Sequence, residues 1–235
     1  MPDHQSIYLS EAERYDQLVS REDYQGHVLE AIQAIFPLQG ADVIELGAGT
    51  GRLTLIAAPL VKSIHAFDQS QAMLDLAVLK LGLANLDNWQ TGVADHRQIP
   101  AGDGCTDLVI SGWSVCYVVV WNQAHWQVEL ERALAEMRRL LRPAGHVILI
   151  ETLGTGVETP QAPPHLVAYY TYLEDHGFQR SWIRTDYRFD NLQQAQELTR
   201  FFFGEETALK IQVDQRGVIL PECTGIWHLH IPQEN

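Results

Sequence analysis

Three glycines at alternate positions could shape a binding site. Gly47, Gly49 and Gly51 directly follow a short apolar segment at residues 43–46, which only Glu45 interrupts, and a helical pattern begins after them. A turn without side chains lets a ligand approach the backbone, and the following helix N-terminus offers free N–H groups and a positive dipole end. The sequence therefore predicts a strand, a turn and a helix that together bind a carboxylate or phosphate group.

Two aspartates follow the next two predicted strands. Asp68 ends an alternating segment at residues 61–67, about 20 residues after the first glycine, and Asp95 follows a segment at residues 89–94. Ligands of open α/β sheets bind at the carboxyl ends of the strands, where both carboxylates would lie. Asp68 suits both hydroxyls of a ribose, in a dinucleotide as well as in another nucleoside. Its alternative role is to cap the next helix, for which Ser70 is better placed.

The spacing of the glycines separates two kinds of cofactor site. A dinucleotide turn of the form G-x-G-x-x-G would need a glycine at position 52, where this chain has Arg52. The form E-x-G-x-G-x-G, together with Asp68, the pair Ala94-Asp95 and an L-x-P-x-G turn ending at Gly145, instead resembles the class I S-adenosylmethionine-dependent methyltransferases. These signatures follow one another in the family's order over nearly the whole chain after the first helices.

The resemblance implies S-adenosyl-L-methionine as cofactor, S-adenosyl-L-homocysteine as product, and roles for individual residues. The glycine turn would wrap the methionine and ribose part, Glu45 would bear on the amino group, and Asp95 would accept from the adenine amine. His96 stands where the family usually has a small residue, and we expect only its backbone to contribute. Tyr15 would close over the cofactor and Met73 would lie beside the adenosine, although both also suit plain packing. The cofactor-binding residues predicted in this way are Tyr15, Glu45, Gly47, Ala48, Gly49, Gly51, Asp68, Gln69, Met73, Ala94, Asp95, His96 and Ser111.

The segments around these residues predict a doubly wound α/β fold. Apolar strands at residues 107–111 and 147–151 flank an amphipathic helix at residues 124–141. The resemblance implies a mostly parallel, seven-stranded sheet in the order 3-2-1-4-5-7-6, with the last strand antiparallel. We expect strands at residues 178–189 and 217–231 to form the closing hairpin, with a helical insertion before the last strand.

The predicted organisation is an N-terminal helical lid at residues 1–36, followed by a methyltransferase domain at residues 37–235. The first segment has apolar residues at helical spacing and stops before Pro37. The insertion, at residues 190–212, is rich in aromatic residues and would serve as a flap over the acceptor site.

The segment after the strand at residues 107–111 is where the methyl acceptor would bind. Family members that methylate planar amide or ring nitrogens typically carry an Asn/Asp-Pro-Pro-aromatic sequence there, whereas this chain has Ser-Gly-Trp-Ser. We therefore expect a small-molecule acceptor, methylated by in-line SN2 displacement. Aromatic residues at 113, 117 and 121 would line its site or, equally, form core. No general base is evident, and the candidates by location are Tyr117, Glu151, His165, Glu222 and Cys223.

Composition narrows the functional classes. The chain has 235 residues, a formal net charge of −14 and no basic patch, which argues against a nucleic-acid partner. Its N-terminus lacks the features of a signal peptide, and no apolar run is long enough for a membrane span. Three cysteines without CxxC spacing predict free thiols and no zinc site. We expect a cytoplasmic protein without metal or membrane partner, monomeric or homodimeric.

Other functions stay open. A methyltransferase fold can bind the cofactor as a regulatory or assembly protein without turnover, although the cofactor turn is undamaged here. The acceptor could also be a protein or a tRNA, the latter disfavoured by the acidic charge. A nicotinamide oxidoreductase would use the same ribose carboxylate but conflicts with Arg52.

Overall fold

The computed structural model describes residues 4–232, and within that range the chain forms two β-sheets and ten α-helices. The strands are β1 (Asp42–Leu46), β2 (Ser63–Asp68), β3 (Trp89–Val93), β4 (Thr106–Gly112), β5 (Leu141–Thr155), β6 (Gln179–Arg184), β7 (Tyr187–Phe189), β8 (Gln212–Asp214), β9 (Gly217–Leu220) and β10 (Glu222–His230). The helices are α1 (His4–Ser10), α2 (Ala12–Val19), α3 (His27–Ile35), α4 (Arg52–Ala57), α5 (Gln71–Leu83), α6 (Val115–Val120), α7 (Trp126–Leu140), α8 (Val167–Asp175), α9 (Leu192–Phe203) and α10 (Glu205–Ala208).

The larger sheet has seven strands in the order β3-β2-β1-β4-β5-β10-β6. Strands β1 to β5 are parallel to their neighbours within this group, whereas β10 is antiparallel to both β5 and β6. The predicted strand order and the antiparallel last strand are therefore confirmed. Because the carboxyl ends of parallel strands meet at one edge of a sheet, Leu46, Asp68 and Gly112 end at the same edge.

The closing hairpin differs from the one that the alternation predicts. The segment at residues 178–189 divides into β6, which pairs with β10 in the main sheet, and β7, which pairs with β9 in a separate three-stranded sheet. The partner segment divides at Pro221, which has no N–H to donate to a ladder. At this corner the buried Asp186 carboxylate accepts from the Glu222 N–H at 3.0 Å. Alternation continues through the corner, so the sequence pattern does not reveal it.

Helices cover both faces of the main sheet. On one face α6, α7 and α8 pack against the strands around Met137, Tyr169 and Trp227. On the other face α3 and α4 pack around Ile32 and Leu53. Helix α3 is therefore part of the main core, and of the predicted N-terminal lid only α1 and α2 pack elsewhere.

The insertion packs against these first two helices. An apolar cluster joins Ile7 of α1 and Leu18 of α2 to Leu198 and Phe202 of α9, and it includes residues of the small sheet. The insertion and the small sheet therefore form one support for α1 and α2.

Replacing Trp227 tests the packing of the antiparallel strand. Its side chain is fully buried and stacks on Tyr170 with 4.4 Å between ring centroids. We expect Trp227→Ala to lower the free energy of unfolding by about 3–5 kcal/mol, because the lost side chain leaves a large cavity. The matched control is Trp182→Ala on the neighbouring strand, where the indole is 48% exposed. That change should cost less than about 1 kcal/mol in urea unfolding, and equal losses in the two variants would contradict this packing.

Candidate functional site

A cavity of about 510 Å³ opens at the carboxyl edge of the parallel strands. Its cofactor wall, formed by the glycine turn and the strand ends, contains Gly47, Gly49, Asp68, Gln69, Met73 and His96. Its aromatic wall, formed by α1, α6 and the segments beside α6, contains Tyr8, Trp113, Tyr117, Val118 and Trp121. Tyr15 of α2 joins the two walls: its ring lies 5.3 Å from that of Tyr8, and its Cε1 lies 3.8 Å from where a Cβ on Gly49 would be.

The turn after β1 depends on glycine for its backbone and for space. Gly47, Gly49 and Gly51 have φ values of 71°, 54° and 80°, in the left-handed region that favours glycine. A Cβ on Gly47 would lie 1.8 Å from Ser114 Oγ, and one on Gly51 would lie 2.9 Å from the Cβ of Ala77. The turn can therefore come this close to its neighbours only because it carries no side chain at these positions.

Asp68 is held in place by two backbone groups. Its Oδ2 accepts from the Gly49 N–H and its Oδ1 from the Ser70 N–H, both at 2.8 Å. A carboxylate oxygen has two acceptor sites, so both oxygens keep one for a ligand hydroxyl. The helix-capping role belongs to Ser70, whose Oγ accepts from the Met73 N–H at the start of α5. The same Oγ donates to the Tyr8 carbonyl at 2.7 Å, which ties α1 to the cofactor wall.

The predicted cofactor residues divide into two groups. Those that line the cavity are Tyr15, Gly47, Gly49, Asp68, Gln69, Met73 and His96. Those outside its lining are Glu45, Ala48, Gly51, Ala94, Asp95 and Ser111. In the second group, Ser111 is buried and donates to the Leu46 carbonyl at 2.8 Å. Asp95 accepts from Arg97 at 2.6 Å, which lowers the pKa of its carboxyl, and from Gln69 at 2.8 Å.

Glu45 lies buried beneath the turn. Its carboxyl accepts from Thr54 Oγ1 at 2.6 Å and is not part of the cavity lining. Burial, assisted by the nearby charge of Asp68, raises the pKa of Glu45 to about 8. The carboxyl is therefore largely protonated at neutral pH.

His96 contributes its side chain, which differs from the expectation that only its backbone would matter. The imidazole is buried, lines the cavity, and lies with Nε2 2.9 Å from Ser114 Oγ. Burial lowers the pKa of His96, so the neutral ring is the favoured form. The larger residue thus fills the space beside the glycine turn, where Nε2 would lie 3.1 Å from a Cβ on Gly47.

Arg52, which occupies the third glycine position of a dinucleotide turn, has a structural role. Its guanidinium pairs with the buried Glu22 carboxylate at 2.5 Å and stacks over the Trp113 indole, 3.9 Å from the ring centroid. Trp113 has a φ of 51°, which is unusual for an aromatic residue. Glu22 also accepts from the Tyr187 hydroxyl at 2.9 Å. Arg52 thereby connects the segment after α2 and the small sheet to the aromatic wall.

Of the five candidate bases, only Tyr117 lines the cavity. Glu151 is buried beside α6, where it accepts from the Cys116 N–H at 2.9 Å, and burial raises its pKa to about 7. Glu222 and Cys223 are buried at the corner between the sheets, and His165 is exposed outside the cavity.

Tyr8 is a site residue that the sequence analysis missed. Its hydroxyl donates to the Tyr117 hydroxyl at 2.7 Å across the aromatic wall. Tyr8 belongs to α1 and Tyr15 to α2, so helical spacing does not indicate that their rings meet. Gln5, Ser114 and Asn122 also line the cavity without a prior signal.

In the part of the chain that the structure describes, no group of three or more His, Cys, Asp or Glu side chains is arranged to hold a metal ion. Helices in residues 4–232 are too short or too polar to cross a membrane. Cys105, Cys116 and Cys223 are free thiols.

Comparison with known proteins finds a matching domain family. Residues 44–149 match a methyltransferase-domain family, and they run from β1 into β5 and contain the glycine turn, Asp68 and the segment after β4. Helices α1 and α2, the insertion and β10 lie outside the matched residues.

Named relatives resemble this chain over part of their length. A malonyl-[acyl-carrier protein] O-methyltransferase from Marinomonas sp. is 27% identical over 177 residues, which cover 74% of this chain and 59% of that protein. A demethylmenaquinone methyltransferase from Clavibacter sepedonicus is 27% identical over 60% of this chain and 51% of its own length. The chain thus spans between half and three-fifths of these curated relatives.

A solved structure shares the fold. The SAM-dependent methyltransferase from Aquifex aeolicus superposes with a TM-score of 0.53 at 15% identity, over 96% of this chain and 93% of that one. At this identity the likeness concerns the fold alone.

Replacing Gly47 tests the close approach of the turn to Ser114. Gly47→Ala should lower the free energy of unfolding by about 2–4 kcal/mol, because an unfavourable backbone conformation adds to overpacking. The matched control is Gly40→Ala, which has a similar φ of 76° but open space around the new Cβ, and should cost about 1 kcal/mol. Guanidinium unfolding compares the two, and the same cost in both would show that space at Gly47 is not limiting.

Replacing Glu45 tests its burial as a protonated acid. A folded-state pKa of about 8 lies above the unfolded value, so its stabilisation is complete below about pH 4.5 and is lost as pH rises to 8. Glu45→Gln keeps an acceptor for Thr54 and removes this titration. Between pH 5 and pH 8 the variant should therefore lose about 1–3 kcal/mol less unfolding free energy than the parent protein. The exposed Glu197→Gln serves as control, and a Glu45→Gln profile parallel to the parent's would refute the assignment.

Proposed function

We propose that this protein transfers the methyl group of S-adenosylmethionine to a small-molecule acceptor by in-line SN2 displacement. The observation that carries the proposal is one continuous cavity bounded by the cofactor wall and the aromatic wall. A cofactor on the first wall and an acceptor against the second would meet in one enclosed space. Since the cofactor supplies an electrophilic methyl group when bound, the protein mainly has to align the acceptor and exclude water.

The charges of the cavity favour an adenosyl sulfonium over a pyrophosphate. Among the described lining residues, Arg97 is the one permanent cation, and it is already paired with Asp95 and Glu129. A pyrophosphate would lie near the Asp68 carboxylate without a free counter-charge. The ribose of an adenosyl group would instead find two acceptor oxygens there, fixed by backbone N–H groups.

The parts outside the family match would adapt this core to its acceptor. We propose that α1 and α2 are the lid, since Tyr8 and Tyr15 line the cavity. Residues 190–212 do not contribute to the lining, so the insertion would act through its packing on α1 and α2 rather than as a flap. A cytoplasmic location and a monomeric or homodimeric state stay predictions from the sequence.

The two named relatives inform the acceptor class. One acts on a malonyl group of an acyl carrier protein and the other on demethylmenaquinone, as their names state. Together with the net charge of −14, they favour an acceptor other than a nucleic acid.

Replacing Asp68 tests the cofactor assignment. Asp68→Ala should weaken binding of S-adenosylhomocysteine by about 10–100-fold in isothermal titration calorimetry, because hydrogen bonds to a charged group are lost. The exposed Asp87→Ala is the matched control and should leave the affinity unchanged. An unchanged affinity in Asp68→Ala, or NAD binding as tight as that of S-adenosylhomocysteine, would overturn the assignment.

Turnover is measured with methyl-labelled cofactor. The parent protein should transfer label to a fraction of a metabolite extract, and Asp68→Ala should reduce this transfer. Label in a tRNA or protein fraction instead would contradict a small-molecule acceptor and indicate a macromolecular one. Tight binding of S-adenosylhomocysteine with no label in any fraction would favour the non-catalytic alternative.

A further inference from the structure

A chain of hydrogen bonds leads from the aromatic wall toward the outside of the molecule. The Tyr8 hydroxyl lies 2.7 Å from that of Tyr117, and the Tyr117 hydroxyl lies 3.1 Å from Nδ1 of His4. The other ring nitrogen of His4, Nε2, lies 3.0 Å from the carbonyl oxygen of Phe202. Tyr8 and Tyr117 line the cavity, whereas His4 is outside its lining and partly exposed.

The last partner fixes the direction of the whole chain. A carbonyl oxygen only accepts, so Nε2 of His4 must carry the hydrogen, and in the neutral ring Nδ1 is then an acceptor. Tyr117 therefore donates to His4, and its oxygen accepts from Tyr8. Each hydrogen in the chain points away from the cavity. The Tyr8 oxygen keeps its lone pairs for a donor inside the cavity.

The far end of the chain lies at the C-terminus of a helix. Phe202 lies in the last turn of α9, where backbone carbonyls lack partners within the helix and the dipole is negative. The His4 ring stacks on the Phe202 ring at 4.4 Å and 11°, which holds Nε2 on that carbonyl. A protonated His4 would thus keep its bond to Phe202 and could release its second proton to solvent.

The two phenols suit neutral proton carriers. Burial raises the pKa of both Tyr8 and Tyr117, so neither is a stable phenolate. Each hydroxyl can nevertheless receive one proton while it passes on another. The imidazole is the member of the chain that can hold the additional proton.

We propose that Tyr8, Tyr117 and His4 form a proton relay that deprotonates a hydroxyl acceptor during methyl transfer. The inference rests on the proposed function and adds the acceptor class, an alcohol or a phenol. Tyr8 is the catalytic residue that contacts the acceptor, and Tyr117 and His4 act through it.

The atoms and charges of the step balance. A lone pair of the acceptor oxygen forms the bond to the methyl carbon, and the bond from that carbon to sulfur breaks with its electron pair going to sulfur. The hydroxyl proton passes to Tyr8, the Tyr8 proton passes to Tyr117, and the Tyr117 proton passes to Nδ1 of His4. The products are the methyl ether, neutral S-adenosylhomocysteine and the His4 imidazolium, which returns its proton to water.

Nuclear magnetic resonance tests the direction of the relay without any acceptor. The full chain, labelled with ¹⁵N-histidine and bound to S-adenosylhomocysteine at pH 7.5, should show His4 as the neutral Nε2–H tautomer in long-range ¹H–¹⁵N spectra. His4→Gln identifies its signals. Tyr117→Phe should shift the Nδ1 resonance, whereas the control Tyr172→Phe, whose ring stacks on His176, should not. An Nδ1–H tautomer or an imidazolium would overturn the proposal.

Kinetics with a matched pair of probes tests its chemical role. Phenol and thiophenol have nearly the same shape, but at pH 7.5 phenol must lose its proton during transfer and thiophenol is already largely ionised. In Tyr8→Phe, Tyr117→Phe and His4→Gln, the ratio of kcat for phenol to kcat for thiophenol should fall about 100-fold, because a general base contributes about this much. The KM for the cofactor should stay within about twofold of the parent value, since a relay acts on kcat. An unchanged ratio would mean that the chain only holds the lid in place.

The two levels of proposal fail in different ways. Failure of the proposed function appears in the parent protein, as no binding of S-adenosylhomocysteine or no transfer of label. Failure of the relay appears in a parent protein that binds and transfers normally, through the wrong His4 tautomer or an unchanged probe ratio in the variants.

Discussion

The site depends on the contact between the turn after β1 and the segment after β4. Gly47 has a φ of 71° and no room for a Cβ beside Ser114, so the two segments approach until backbone meets side chain. This contact closes the floor of the cavity between the cofactor wall and the aromatic wall. His96 completes it from the third strand through its bond to Ser114. The segments after β1, β3 and β4 thereby meet in one small region at the carboxyl edge of the parallel strands.

Two tyrosines of the site come from parts of the chain that the family match leaves out. Helices α1 and α2 supply Tyr8 and Tyr15, and α9 supports them through Phe202. The ion pair between Arg52 and buried Glu22 fixes the segment after α2 to the core, because leaving either charge buried alone would be costly. The cavity is thus lined both by matched residues and by helices that lie outside the match.

The sequence identified what local patterns encode. Alternation and glycine spacing were sufficient to predict the first strands and to place Gly47 and Asp68 at one edge, whereas the strand order came from the resemblance to a known family. They could not show that Glu45 turns inward to Thr54, because the sequence around an acid next to a glycine turn is the same whether its side chain faces the ligand or the core. The hydrogen bond between Tyr8 and Tyr117 was also out of reach, since the two residues meet only through tertiary packing. The corner at Pro221 was missed because alternation of apolar and polar residues does not indicate which sheet a strand joins.

Ser70 links α1 to the cofactor wall. It lies two positions after Asp68, caps the N-terminus of α5, and binds the Tyr8 carbonyl of α1 through its hydroxyl. An outward movement of α1 would break the hydrogen bond between the Ser70 hydroxyl and the Tyr8 carbonyl. The backbone N–H of the same Ser70 binds the Asp68 carboxylate. A displacement of α1 would therefore reach the Asp68 carboxylate through this single residue.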